Sequence, residues 1–461
     1  MYGSLFTKST NDLASLGRGW DPALFHIGKA DRLIQYHRNY ILRARHDSTL
    51  PPVGPFLLRR ISDARTLHQA VVDLIADGPK APGPQGVRLE ELTPSEHWLL
   101  ARSLGDDLRA GVYRPSRVRE VRFSKPGKPG QYRTIAIQDA EDRVVARAAL
   151  LILQPVLDPY EFSPFSFGGR PERDRLGALA TALEIARQQD RWVWVSADIE
   201  TAFDRVPRER LLDACRRHFP PEIVELLKLL STTRRRHGIP QGSPISPFLF
   251  NVFADHFIDR PWERRHVELP LLRYLDDLLI PCRTPEEAAA AYEDLSRLAR
   301  SAGTPLKGNA STNIVDLRTD DEIRWLGIMV CAAGKALHIA PQAFEQLSHH
   351  LAECHLEDLA PLRARQVVSG WLAAMAPCYS FEDHAAVLAN VKALAAQQAF
   401  DELPPIHELI QGWSAAHARW CRHADTQAGL LPDRLRRVRA RAEGTAAGCS
   451  PTTMSSECGV Q

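Results

Sequence analysis

Apolar positions repeat along this chain with two different periods. Residues 118–123 and 132–137 alternate and predict two strands, joined by a Lys-, Gly- and Pro-rich turn at 125–130. Trp192-Val193-Trp194-Val195-Ser196-Ala197 is β-rich and runs into Asp198, and residues 269–281 predict an apolar hairpin. Helical spacing marks 63–76, 95–110, 140–154, 173–189 and 208–218, with a turn-rich loop at 80–86. A run of helices follows over 340–443, broken near Pro361, Pro377 and Pro404-Pro405. Residues 1–50 read as mostly helical, ahead of breaks at Pro51-Pro52 and Pro55, and 444–461 read as a disordered tail.

Composition narrows the classes. With 461 residues the chain has room for several domains. It has no run of eighteen apolar residues, so no membrane span is expected, and Met1-Tyr2-Gly3-Ser4 does not open a signal peptide; the expected location is the cytoplasm. The eight cysteines form no C-x-x-C pair, which argues against a zinc ribbon or a disulfide framework. His349, His350, Cys354 and His355 read as polar positions on a helix rather than a metal site. Net charge is only +2, but cations cluster. Nine Lys or Arg face four acids between Arg114 and Arg147, Arg234-Arg235-Arg236 is a basic run, and Arg434, Arg436, Arg437, Arg439 and Arg441 form another. Such runs are expected to meet phosphates.

The candidate chemistry lies in three acids. In Leu271-Leu272-Arg273-Tyr274-Leu275-Asp276-Asp277-Leu278-Leu279-Ile280, paired carboxylates interrupt an apolar strand pattern without the Gly, Asn or Pro of an ordinary exposed turn. Burying them requires a cation nearby, an arginine or a metal. Asp198 ends the strand before Ile199-Glu200-Thr201-Ala202-Phe203-Asp204 and shares a face with Ser196 and Trp194. Asp204, ahead of Pro207 and the next helix, is the better helix cap, which leaves Asp198 free for other work. Three carboxylates at the ends of adjacent strands can hold two divalent ions roughly 3.5–4 Å apart, and Mg²⁺ suits such oxygen ligands.

Asp198 with Phe203-Asp204, then Gly238-Ile239-Pro240-Gln241-Gly242-Ser243-Pro244-Ile245-Ser246-Pro247, then Tyr274-Leu275-Asp276-Asp277, resemble in order and spacing the successive palm motifs of reverse transcriptases. The resemblance points to the bacterial group II intron-like branch. Residues 81–87 resemble its early glycine-rich block, and residues 113–137 its fingers hairpin. Asp142-Arg143-Val144-Val145 and Gln154-Pro155-Val156-Leu157 resemble its following helix. Phe167-Gly168-Gly169-Arg170-Pro171 resembles its Gly-Phe-Arg-Pro-Gly-Arg block, Trp325-Leu326-Gly327 its primer-gripping turn, and Gly370-Trp371 the start of its thumb. This resemblance implies an α+β right-hand polymerase. Its parts would be an N-terminal helical extension (1–62), fingers with part of the palm (63–190), a palm with an antiparallel sheet and the catalytic motifs (191–335) and a helical thumb (336–443).

The resemblance also implies roles. Asp198, Asp276, Asp277 and the backbone carbonyl of Ile199 would hold two Mg²⁺ ions, with Mn²⁺ as the alternative metal. Lys125 and Arg133 would clamp the incoming triphosphate, with Lys128 sharing the work. Phe203 would be a gate against a ribose 2′-hydroxyl, and Gln241 and Gly242 would meet the nascent base pair. Three departures stand out: Gly169 replaces an aromatic; Leu275 replaces Ala, adding bulk beside the primer terminus; Ser311 replaces the lysine that protonates pyrophosphate, with Lys307 nearby. The implied partners are an RNA template, deoxynucleotides and a DNA product. A freestanding enzyme of antiphage defence, working on a structured non-coding RNA, is the favoured reading. A host repair polymerase and a non-catalytic, maturase-like RNA-binding protein are the alternatives.

Overall fold

The computed structural model describes residues 54–78, 81–124, 132–158, 161–233, 237–319, 322–331, 336–355 and 359–443. The readings made for residues 1–50, for the tail, for Lys125 and Lys128 and for the Arg234 run fall outside these residues. Helices α1 (Gly54–Ile61), α2 (Ala64–Ala76) and α3 (Pro94–Ala110) pack with α4 (Ala140–Leu157). Local sequence sets their ends. Asp63 accepts from the Arg65 N–H at 2.8 Å, Thr93 and Glu96 form a reciprocal cap, and α3 stops at Gly111 with φ 69°. Between α3 and α4, β1 (Arg119–Ser124) and β2 (Tyr132–Ile137) form the expected antiparallel hairpin, with Arg119 opposite Ile137. Helix α4 runs through Pro155 to Leu157 instead of stopping at 154. Gln154, Val156 and Leu157 are all buried there, and that packing outweighs the roughly 3 kcal/mol a helical proline costs.

Helix α5 (Arg175–Gln189), capped by Asp174 on the Gly177 N–H at 2.6 Å, leads into β3 (Val193–Asp198). Next come α6 (Ala202–Arg205), α7 (Arg208–Arg216), α8 (Pro221–Leu230), α9 (Ser246–Ala254), a π-helical turn at Asp255–Asp259 and α10 (Arg260–Arg265). The hairpin of β4 (Leu272–Tyr274) and β5 (Asp277–Cys282), then α11 (Pro285–Ala302), α12 (Ala310–Asn313) and β6 (Ile314–Asp316), complete this part. The four strands form one sheet in the order β4-β5-β3-β6, with every adjacent pair antiparallel. Alternation divides its residues between two cores. Val193, Val195, Ala197, Leu278 and Ile280 pack with α7, α8, α9 and α11, whereas Trp194, Leu272 and Leu279 pack with α5 and the C-terminal helices. Asp198 and Asp277 belong to the second face. Asp204 is not a cap: it lies inside α6, and α7 starts at Arg208, after Pro207, without a side-chain cap.

A second sheet, β7 (Glu322–Trp325), β8 (Ile328–Cys331) and β9 (Ala336–Ile339), leads to α13 (Pro341–Cys354), α14 (Ala360–Ala374), α15 (His384–Gln397) and α16 (Ile406–Ala442). His349, His350 and Cys354 sit on α13 as expected, and the Cys354 thiol donates to the His350 carbonyl at 3.2 Å. Among the described residues, no helix is long and apolar enough to cross a membrane.

Of the arginines near the end of α16, Arg436 and Arg439 are exposed, whereas Arg434 and Arg441 are turned inward and do not belong to the phosphate-binding face expected from their spacing. Arg434 is buried, donating to Thr181 Oγ1 at 2.6 Å and to Gln427 Oε1 at 2.5 Å. Arg441 is buried against Glu263 at 2.7 Å and Asp255 at 2.6 Å and also donates to the Glu161 carbonyl. Arg439 pairs with Glu268 at 3.0 Å, and Arg436 with Asp433 at 2.5 Å. The eight-residue spread places Arg434 and Arg441 on the side of the helix that docks on the first sheet's helices, where carboxylates pair Arg441 and neutral side chains hold Arg434. Burial pushes the Asp255 carboxyl up, but Arg441 and Arg260 more than offset this and hold it well below the usual carboxylate range. Arg441→Ala should therefore cost about 3–5 kcal/mol of stability by leaving Asp255 and Glu263 short of a partner. Arg436→Ala should cost less than about 1 kcal/mol. Denaturant titration of the two variants checks the contrast, and equal stabilities would remove the clasp.

Candidate active site

Two strands bring the acids together. In the β3–β5 register Asp198 faces Asp277, and the two-residue turn Leu275-Asp276 closes β4 onto β5 between Tyr274 and Asp277. The turn is tied to the neighbouring loop because the Ile199 N–H donates to the Asp276 carbonyl at 3.1 Å. The Lys307 N–H donates in turn to the Asp198 carbonyl at 2.8 Å. Leu275 has φ 55°, a conformation that glycine usually supplies in such hairpins, and for a leucine it costs on the order of 1 kcal/mol.

Burial offsets that cost, since Leu275 is only 5% exposed. A Cβ on Gly168 would come within 2.9 Å of Leu275 Cγ, and one on Gly169 within 3.2 Å of Leu275 Cδ2. The leucine packs against the two glycines, in room that their missing side chains leave. Two of the departures from the family pattern thus compensate each other.

Behind the turn stands Arg273, fully buried. It donates to Asp259 at 2.9, 3.1 and 2.6 Å, to Asn251 Oδ1 at 2.8 Å, to Ser166 Oγ at 2.8 Å and to the Leu275 carbonyl at 3.4 Å. Asn251 in turn donates to the Gly168 carbonyl at 2.9 Å. Sequence reasoning gave Arg273 no role; an arginine inside an apolar strand pattern was the signal. It also passed over Arg175, which donates to the Leu326 carbonyl of the β7–β8 turn at 2.6 Å and to the Ala374 carbonyl of α14 at 2.7 Å.

The acids raise one another's energy. Burial first, then Asp276 and Asp198, push the Asp277 carboxyl up to about 7, against the opposing pull of Lys307 and Arg324. Asp198 Oδ1 is buried without a hydrogen-bond partner, while its Oδ2 is paired with the Lys307 ammonium. Lys307, and not the exposed Ser311 on α12, is therefore the cation at the acids. Among the described residues, no three His, Cys, Asp or Glu side chains are gathered tightly enough to hold an ion as placed. The donor chemistry nevertheless fits a hard divalent cation: crowded carboxylates on one sheet face, an orphaned buried oxygen, and a lysine resting where positive charge is needed.

Around the acids, Phe203 is half-buried and stacked on Phe250 at 5.4 Å between ring centroids, its carbonyl accepting from the Ile239 N–H at 2.8 Å. The Gln241 carbonyl accepts from Ala136 of β2 at 2.9 Å, which joins this loop to the first hairpin, and Gly242 has φ 114°, where a side chain would be strained. Arg133 lies on β2 opposite Phe123. Its side chain and Lys125 fall outside what the structure describes.

Residues 123–330 match the family described as reverse transcriptase (RNA-dependent DNA polymerase). The chain is 30% identical over 217 residues to protein YkfC of Escherichia coli strain K12, covering 44% of this chain and 55% of that one. It is 30% identical over 233 residues to the RNA-directed DNA polymerase from mobile element jockey of Drosophila melanogaster, covering 44% and 25%. The chain thus spans about half of the first of these relatives and a quarter of the second. Among solved structures, apo telomerase from Candida tropicalis is similar, with a TM-score of 0.40 and 10% identity over 76% of this chain and 73% of that chain. The stretch that carries Asp198, Gln241, Asp276 and Asp277 is accordingly a reverse transcriptase domain, related to those of intron-encoded and mobile-element proteins.

Proposed function

We propose that this chain is an RNA-directed DNA polymerase that adds deoxynucleotides to a primer 3′ end. The observation that carries the reading is the facing pair Asp198 and Asp277, with Asp276 beside it at the hairpin tip. Reverse transcriptases generally use divalent metal ions. Two Mg²⁺ ions, with Mn²⁺ as the alternative, would be held by Asp198, Asp276, Asp277 and the Ile199 carbonyl, and when bound they would stabilise the charge that develops on the attacking and leaving oxygens.

The chain's own residues do the rest. The Arg273 network fixes the acids, Phe203 lies five residues past Asp198 where it would exclude a ribose 2′-hydroxyl, and Gln241 with Gly242 lets the backbone approach the new base pair. Lys125 and Arg133 would grip the triphosphate. Lys307 would pass from Asp198 to the leaving pyrophosphate. Residues 63–190 would act as fingers, 191–335 as palm and 336–443 as thumb. For its setting we propose antiphage defence with a structured non-coding RNA as template. That choice rests on the resemblance to the group II intron-like branch, and sequencing the nucleic acid that co-purifies with the protein decides it. One abundant structured RNA supports the choice; a mixture of cellular fragments favours the repair polymerase.

Asp276→Ala combined with Asp277→Ala should reduce primer extension by at least about a thousandfold while the protein stays folded. Extension at the wild-type rate would sink the assignment. Asp277→Asn alone should raise the melting temperature in metal-free buffer above pH 7. The sign follows from the raised carboxyl: the folded state favours protonated Asp277, so its contribution to stability falls as pH rises through about 7, and an amide escapes that loss. Phe203→Ala should admit ribonucleotides in a primer-extension assay. An unchanged preference for deoxynucleotides would leave Phe203 as a core ring on Phe250.

A further inference from the structure

A cavity of about 490 Å³ opens among the helices that cover the other face of the carboxylate sheet. Its lining is Arg217, His218, His256, Arg260 and Arg264, every one a basic type. Two elements supply them. Arg217 and His218 follow directly on α7, and His256, Arg260 and Arg264 recur every four residues through the π turn and α10, which stacks them on one side. Single π turns inside helices are frequent at functional sites, because the extra residue redirects side chains.

The nearby acids are already engaged. Asp255 and Glu161 pair with Arg260 at 2.7 and 2.8 Å, and Asp255 also takes Arg441. Arg217 and Arg264 are exposed at the rim, and the His256 ring is set edge-on to Phe257 with centroids 4.6 Å apart. Like charge is crowded enough to be felt. Burial, followed by Arg217, Arg260 and Arg264, holds the His256 imidazole below its ordinary pKa, against the opposing pull of Asp255. An anion in the cavity would relieve that repulsion.

We propose that this cavity is a binding site for phosphate groups, separate from the carboxylate site. Three guanidiniums and two imidazoles around one concavity suit phosphate oxygens, which accept several charge-assisted hydrogen bonds at once. Asp198 and Asp277 face the opposite side of the sheet, so a primer terminus at the acids does not reach it. The phosphates come either from a nucleic-acid strand wrapped around the outside of the domain or from a free polyphosphate nucleotide. The site does not depend on the polymerase reading.

The test uses the full chain without divalent ions and with a chelator present, so that metal-bridged binding at the carboxylates is silent. Inorganic tripolyphosphate is titrated calorimetrically into the wild type and into Arg217→Gln combined with Arg264→Gln. Neither arginine touches the carboxylate site, and both are exposed, so folding and basal primer extension should be unchanged. The expected result is a site in the wild type that loses at least about tenfold in affinity in the variant, with a shallower salt dependence, while any binding at Lys125 and Arg133 is the same in both proteins. Equal affinity in both proteins, or no binding to the wild type, overturns the proposal. If the double variant fails to fold, Arg264→Gln alone gives the same readout with a smaller loss, and no loss there counts equally against the site. A single-stranded RNA oligonucleotide that displaces tripolyphosphate identifies strand phosphates as the ligand. Displacement by a nucleoside triphosphate but not by the oligonucleotide identifies the free nucleotide.

Discussion

The acidic hairpin depends on one buried guanidinium. Arg273 reaches Asp259 in the π turn, Asn251 in α9, Ser166 in the loop before α5 and the Leu275 carbonyl in the turn itself. No apolar residue could do this, because the groups it joins are all polar and all buried, and each would be left unsatisfied. A planar, permanently charged fork suits the geometry better than a lysine. The result is a hairpin whose position is set by three other segments, the π turn, α9 and the loop before α5, so the acids at its tip inherit the rigidity of the helices behind it.

That rigidity matters because the acids oppose one another. Asp198 and Asp277 sit on one sheet face by register, and nothing in the strand geometry allows them to separate. The conflict is moderated from outside the sheet: Lys307 comes from the loop after α11, anchored by its own N–H on the Asp198 carbonyl. A cation on a loop can withdraw as other positive charge arrives, whereas a cation built into the sheet could not.

Much of this was legible in the chain. Alternation from 192 to 197 and the apolar run from 269 to 281 defined β3 and the β4–β5 hairpin, because half-buried strands must alternate and buried ones must be apolar. Asp276 and Asp277 followed from their conflict with that pattern, and Asp198 from its place at the end of a strand. Other features were not legible because their causes are not local. Asp204 looked like a cap but lies inside α6, since the chain makes an extra turn before Pro207. The packing of Leu275 against Gly168 and Gly169 is likewise set by residues more than a hundred positions away. The arginines of α16 gave the same periodic pattern a solvated or RNA-binding helix would give. What distinguishes them is the set of acids they meet, which lie far away in sequence.

That last separation has a consequence for how the chain comes into being. Arg441 follows its partner Asp255 by 186 residues and Glu263 by 178. On a ribosome, the segment that forms the β4–β5 hairpin emerges well before α16 exists. Asp255 then has Arg260 and the Ser163 N–H but not Arg441, and Glu263 has no arginine from α16, so the packing that buries both acids is disfavoured while the chain is still growing. Docking of α16 removes that obstacle by supplying Arg441 to both acids. The packing that buries Asp255 and Glu263 is therefore complete only once Arg441 has been made.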